Sequence, residues 1–192
     1  MTRDLPGAGM VQGLTITPTS GVWRPLAAWP GDQRPVGLWS WLTHAGSLTE
    51  KLRVAAGAVF HVQVLNEDET QLCVEDAGLL ALPPGAAARR REVYLCGREP
   101  WVYARTLAAV RFDGRWLAEL GVRPLGERVF AEPDTQRGPI EIARLGKNHP
   151  LYSAAVRSCK AAPAALWARR SVLRVRDARL LIYECFLREG DC

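Results

Sequence analysis

Two side chains interrupt apolar rows in positions where a charged group could meet a ligand. Strand alternation places Leu180, Ile182, Glu184 and Phe186 on one face, so a carboxylate sits in the middle of an apolar row. In the run Arg89–Cys96, Arg91, Val93 and Leu95 share a face, and a guanidinium opens that row. In the following segment Arg105 lies in phase with Trp101 and Tyr103. A buried charge without a partner costs several kcal/mol, so each of these groups requires one. For Glu184 three readings stay open. One is a locally bulged strand whose solvent face carries Tyr183 and Cys185. Another is a purely structural buried Arg–Glu pair. The third is a sheet-lined cavity holding Arg91 and Glu184, filled by a ligand anionic at one end and hydroxylic at the other. Arg89-Arg90-Arg91 by itself reads as a solvated basic run.

Other catalytic signatures are missing. The chain has no G-x-S-x-G, P-loop, G-x-G-x-x-G or H-E-x-x-H pattern. Its five cysteines, Cys73, Cys96, Cys159, Cys185 and Cys192, include no C-x-x-C pair, and His44, His61 and His149 are scattered. The cysteines read as reduced thiols, and no metal site is expected. Ser47-Leu48-Thr49-Glu50 is a capping box. The free amides it would start are also a ready anion site, although a plain helix cap is the commoner meaning.

The elements that must position these groups follow from pattern and punctuation. Residues 1–34, rich in Gly, Pro and Thr, read as an irregular arm whose Trp23 and Trp29 dock on the body. Residues 36–43 suit a short buried helix that Gly46 ends, and the capping box opens a second helix reaching about Ala56. Ala58–Leu65 alternates as a half-buried strand, and the acidic stretch Asn66–Glu69 reads as a turn. Residues 70–82 are expected to return as a strand before Pro83-Pro84-Gly85. Arg89–Cys96 and Glu99–Leu107 flank Gly97-Arg98, a pair suited to a type II′ hairpin. A short helix is expected over 114–121, then a tight connection at Pro124-Leu125-Gly126. Strands are expected over 128–131 and 140–144, and a helix over 149–159 with Pro150 in its first turn. A last hairpin, 166–176 and 179–187, turns at Asp177-Ala178. Antiparallel strands with a few short helices make an α+β domain rather than an alternating βαβ one.

Composition bounds the class. The chain of 192 residues, 48% hydrophobic and 23% charged, has room for one domain with a sizeable core. No apolar run is long enough to span a membrane, and the first residues lack the apolar core of a secretion signal, so a cytoplasmic location is expected. Of the net charge of +5, residues 1–88 contribute five basic and eight acidic groups, and residues 89–192 twenty basic and twelve acidic ones. All basic residues except Lys51, Lys147 and Lys160 are arginines, a bias that leans toward recognition of carboxylate or phosphate, or toward codon usage alone. No recognised nucleic-acid-binding motif accompanies the basic half.

Five segments in order, WLTHAGSLTEKLR, REVYLCGREPWVYART, RPLGERVF, PIEIAR and LLIYECFL, resemble the chorismate pyruvate-lyase (4-hydroxybenzoate synthase) family over residues 36–188. The arm and the stretch 147–165 look longer than in the compact form of that family. The resemblance implies an antiparallel sheet with helices covering one side and a ligand cavity enclosed between, formed by residues 35–192. It implies elimination of pyruvate from chorismate to give 4-hydroxybenzoate, the entry step of ubiquinone synthesis, with no cofactor or metal. It carries the family's ligand-contacting arginine onto Arg91 and its glutamate onto Glu184. Two further contacts fall on Leu48 and Leu125, acting through backbone groups, and Arg105 is a further site residue. Glu184 would orient the ring hydroxyl, or move a proton if burial raises its pKa. Chorismate and 4-hydroxybenzoate are then the partners of a monomer that binds no nucleic acid. The alternative reading is a non-catalytic sensor of aromatic carboxylates on the same fold.

Overall fold

The computed structural model describes residues 22–110, 120–159 and 161–188. Most of the helix expected over 114–121 lies outside them. An antiparallel sheet organises the chain. Its strands are β1 (Arg24–Pro25), β2 (His61–Gln71), β3 (Ala87–Cys96), β4 (Pro100–Ala109), β5 (Gln136–Arg137), β6 (Glu141–Gly146), β7 (Ala165–Val175) and β8 (Ala178–Phe186). They run in the order β1-β6-β7-β8-β4-β3-β2, with β5 also pairing β7. Five short helices are described: α1 (Trp39–Leu42), α2 (Leu48–Ala56), α3 (Val74–Leu80), α4 (Leu125–Phe130) and α5 (Pro150–Ala155). This is the expected α+β class.

Both faces of the sheet are covered. On one, α1 and α2 bring Trp41, Leu42, Leu48 and Leu52 onto Val93, Leu95, Val102 and Phe186. On the same face α4 brings Val129 onto Leu173, Leu180 and Ile182. The helices that roof the cavity described below all lie on this side, but helix cover is not confined to it. Helices α3 and α5 pack on the other side, where Ala77, Leu80, Leu151 and Tyr152 meet Tyr94, Tyr103, Leu181 and Tyr183. The arm residues from Val22 onward dock: β1 pairs with β6, Trp23 stacks on Tyr183 and Trp29 on Trp167.

Several elements differ from expectation, each for a local physical reason. The acidic stretch Asn66–Glu69 is strand rather than turn. It continues β2 beyond a bulge between Val64 and Asn66, opposite the arginines of β3: Glu67 faces Arg91, Asp68 faces Arg90 and Glu69 faces Arg89. Opposite charges directly across an antiparallel ladder favour pairing, and the charges at Asp68 and Arg90 meet at 2.5 Å. Within 70–82 the expected strand gives way to α3, whose first amides are capped by Cys73 Sγ accepting from Asp76 N–H. Residues 128–131 belong to α4 and its end, not to a strand. The helix expected over 36–43 is the single turn α1, and that expected over 149–159 is the shorter α5, which His149 caps. The β3–β4 loop spans three residues, because the register slips between Leu95 and Cys96 and sets Cys96 opposite Pro100. Gly97 serves there to make room, since a Cβ would run into the Trp101 ring. The final hairpin turns one residue earlier than expected, with Val175 opposite Ala178 and Arg176 in the left-handed region at φ 51°.

The start of α2 keeps half of its capping box. Ser47 Oγ accepts from Glu50 N–H at 3.2 Å, while the Glu50 carboxylate turns to Arg53 at 3.7 Å. Helix α4 packs directly on this cap through Gly126. A Cβ there would lie 2.8 Å from Ser47 Oγ and 2.9 Å from Thr49 Oγ1. Gly126→Ala is therefore expected to push the two helices apart and cost about 1–3 kcal/mol, read as a lowered urea midpoint at unchanged slope.

Candidate active site

The floor of a cavity is the sheet face that carries the interrupted apolar rows. Arg91, Val93 and Leu95 of β3, Ala104 and Thr106 of β4, and Ile182 and Glu184 of β8 line it. The roof comes from Leu48 and Thr49 at the start of α2 and from Pro124, Leu125 and Gly126 at the start of α4. The space between floor and roof, counted out through its open mouth into solvent, is about 540 Å³. Register explains the convergence. Arg91 faces Thr106, which faces Ile182, whereas Glu184 faces Ala104, which faces Val93. Arg91 and Glu184 thus stand two strands and two residues apart, about 12 Å between Cα atoms from strand spacing.

Neither group is free in water. Arg91 is 3% exposed and Glu184 7%. Arg91 Nη2 donates to the Gly121 carbonyl at 2.6 Å and reaches the Arg123 carbonyl at 3.4 Å. Its Nη1 stands against the Glu67 carboxylate, charge to charge, without an aligned hydrogen bond. Burial lowers the Arg91 pKa, but an arginine stays protonated throughout the physiological range.

Glu184 is held by a residue that sequence reasoning missed. Arg169 of β7, 1% exposed, lies directly across the ladder, and its Nε donates to Glu184 Oε2 at 2.5 Å. Arg169 Nη1 donates to the carbonyls of Trp41 (3.0 Å) and His44 (2.7 Å). A second missed arginine, Arg137 of β5, lines the cavity itself. Its Nε donates to Ala45 O at 3.0 Å and its Nη1 to Ser171 Oγ at 2.5 Å, with Nη2 3.4 Å from Gly46 O. Desolvation by burial pushes the Glu184 pKa up, but Arg169 and Arg137 outweigh it and the net shift is downward. Glu184 is therefore an anion at neutral pH. The rise in pKa on which a proton-moving role was conditioned does not occur in this arrangement.

Leu48 and Leu125 are both the first residue of a roof helix and both line the cavity. Arg105 is not brought there. Opposite Glu92 in the ladder, it occupies the other face of the sheet, where its Nε donates to Glu92 Oε1 at 2.9 Å beside the Tyr103 hydroxyl. Its supposed phase partner Trp101 leaves that face at the register slip and packs among the roof-side residues. Among the described residues no cluster of His, Cys, Asp and Glu could hold a metal ion, and no helix is long and apolar enough to cross a membrane.

The family model for chorismate lyase matches residues 27–190. The chain belongs to the chorismate lyase family. Among curated relatives, the Halorhodospira halophila protein named "Probable chorismate pyruvate-lyase" is 40% identical over 177 residues, covering 90% of this chain and 93% of its own length. An Azoarcus protein of the same name is 41% identical over 156 residues, covering 77% and 82%. Solved structures share the fold at much lower identity. The effector domain of PhnF from Mycobacterium smegmatis aligns with a TM-score of 0.57 at 15% identity, over 75% of this chain and 90% of that domain. Within this member of the family the two regions that looked long behave differently. The end of the arm adds β1 to the sheet, whereas the described residues of 147–165 supply α5 to the face away from the cavity.

The Arg169–Glu184 pair sets a pH-dependent share of stability. The folded-state pKa of Glu184 lies below the unfolded value of about 4.3. Its contribution is thus complete above that pH and lost as pH falls through the folded value. Glu184→Gln leaves Arg169 buried without a counter-charge and is expected to cost about 3 kcal/mol at pH 7. Urea midpoints measured from neutral to acid pH should show a constant gap between wild type and variant that narrows below about pH 4.3. A gap that widens on acidification would contradict the assignment.

Proposed function

We propose that this chain is a lyase that eliminates pyruvate from chorismate to give 4-hydroxybenzoate. The observation that carries the reading is the placement, in a member of the chorismate lyase family, of Arg91 and Glu184 on the floor of one buried cavity. Chorismate carries a ring carboxylate, an enolpyruvyl ether and a ring hydroxyl. In the reaction the ether carbon–oxygen bond breaks and the ring loses the hydrogen beside the hydroxyl. The proton finishes on the methylene carbon of the departing enolpyruvate, which leaves as pyruvate. Atoms and electrons balance without an oxidant, a reductant or water. Aromatisation supplies the drive, and the protein's task is placement and charge stabilisation.

Arg91 binds the ring carboxylate with the donors that Gly121, Arg123 and Glu67 leave over. Glu184, held ionised by Arg169 and Arg137, accepts a hydrogen bond from the ring hydroxyl and fixes the ring's rotation. Backbone groups at Leu48 and Leu125 close the site from above, since neither side chain is polar. Four unpaired cysteines among the described residues accord with a cytoplasmic location.

Purified protein mixed with chorismate is expected to release pyruvate and 4-hydroxybenzoate in equal amounts. Tight binding of 4-hydroxybenzoate with no pyruvate formed would instead favour a non-catalytic sensor. Arg91→Ala is expected to lower kcat/KM at least about 100-fold, about 2.7 kcal/mol of transition-state stabilisation. Arg91→Lys should also be poor, because an ammonium makes no fork. With Glu184 already an anion, kcat/KM should show no Glu184 ionisation between about pH 5.5 and 8. A limb rising with a pKa near 6 and vanishing in Glu184→Gln would restore the proton-transfer role.

A further inference from the structure

We propose that Arg137 is the receptor for a second carboxylate, the three-carbon acidic arm that chorismate carries and 4-hydroxybenzoate lacks, and so selects substrate over product. The inference rests on the lyase reading above and gives Arg137 a role beyond helping to hold Glu184 ionised.

Position is the first argument. Along the path β3-β4-β8-β7-β5, Glu184 on β8 is the middle member, with Arg91 two strands to one side and Arg137 two strands to the other. Four strands and two residues of register, about 20 Å at ordinary spacing, separate the two arginine backbones, and both side chains line the same cavity. The cavity therefore has a cation toward each side, and Glu184, on the middle strand, lies two residues to one side of the Arg91 level while Arg137 lies two residues to the other. A ring held by its hydroxyl at Glu184 and by one carboxylate at Arg91 can turn its remaining substituent, which stands beside the hydroxyl and off that axis, toward Arg137.

Donor count is the second. The bonds to Ala45 O, Gly46 O and Ser171 Oγ occupy three of the five N–H groups of Arg137. One N–H remains on each terminal nitrogen, which is the pattern a carboxylate takes in bidentate fashion. All three occupying acceptors are uncharged, so the positive charge is not neutralised by them.

Charge is the third. Glu67 stands against Arg91, and Glu184 is taken by Arg169 at 2.5 Å. Three guanidiniums thus share two carboxylates around this cavity, and Arg137 is the one without its own acid among the described residues. Burial and the neighbouring Arg169 both lower its pKa, Glu184 opposing them only in part. An arriving anion relieves that imbalance.

The test compares Arg137→Met and Arg137→Lys with wild type. Two probes are titrated: 4-hydroxybenzoate, and 3-(carboxymethoxy)-4-hydroxybenzoate, a stable dianion bearing a second acidic arm. KM for chorismate is measured alongside. Arg137→Met is expected to weaken the dianion, and to raise KM, about tenfold more than it weakens 4-hydroxybenzoate, whose own loss measures the hold of Arg137 on the roof and on Glu184. Arg137→Lys, which keeps the charge without the fork, should fall between. Equal weakening of both probes in both variants would mean that Arg137 only supports the roof, and would overturn the proposal. So would unchanged affinity for both. Failure of the lyase reading is a separate result, because wild type would then form no pyruvate whatever the two probes show.

Discussion

The site depends on guanidiniums that stand on the sheet and hold backbone carbonyls of the roof. Arg169 grips the carbonyls of Trp41 and His44, and Arg137 grips those of Ala45 and Gly46. Together they suspend the whole segment that leads into α2. On the far side Arg91 grips Gly121 and Arg123, the residues that lead into α4. A loop without regular structure has unpaired carbonyls, and burying them without donors is costly. Here the floor supplies the donors. The roof therefore closes only where the arginines stand, and the cavity is the space those long side chains prop open between helix and sheet.

This construction explains why the residue is arginine each time. Lysine offers a compact charge, whereas arginine offers five donors in a rigid plane. One guanidinium can bind a carbonyl, a neighbouring carboxylate and a ligand at once. Arg91 meets two carbonyls and Glu67, and Arg169 meets the roof carbonyls and Glu184. The arginine bias of the basic half thus has a structural reason at these three positions. The acids are placed to match. Glu67 and Glu184 are both direct cross-strand neighbours of an arginine, so the same ladder that sets the sheet register also sets the charge pattern of the cavity.

Much of this was legible in the sequence, because strand alternation is strict. The rows Arg91-Val93-Leu95 and Ile182-Glu184-Phe186 do share the cavity face, and the five motifs named the family. What was lost was lost at turns. A turn at Asp177-Ala178 would set Glu184 opposite Ser171. Closing the hairpin one residue earlier sets it opposite Arg169 instead, and no local pattern favours a left-handed Arg176. Reading Asn66–Glu69 as a turn hid Glu67, since an acidic run has low strand propensity until an arginine run lies across from it. Arg137 sits on a two-residue strand, too short to show any alternation.

Arg105 shows what separates a site from a buried ion pair. On the far face Glu92 is 2% exposed and meets both Arg105 and the Tyr103 hydroxyl, a constellation of the same residue types as the candidate site. Pattern alone cannot rank the two, because alternation only assigns a face. The difference lies in what packs above. Over Tyr103 the helices α3 and α5 bring small and apolar side chains, Ala77, Leu80, Ala154 and Ala155, into a continuous core. Over Arg91 and Glu184 the cavity is lined from above by residues at the starts of α2 and α4, Leu48, Thr49, Leu125 and Gly126, while the apolar faces of those helices pack on the sheet beside it. A helix laid flat on a sheet fills the space beneath it, whereas two helix ends meeting at Gly126 leave a gap. The charged pair beneath that gap can exchange part of its protein contacts for a ligand, and the pair beneath α3 and α5 cannot.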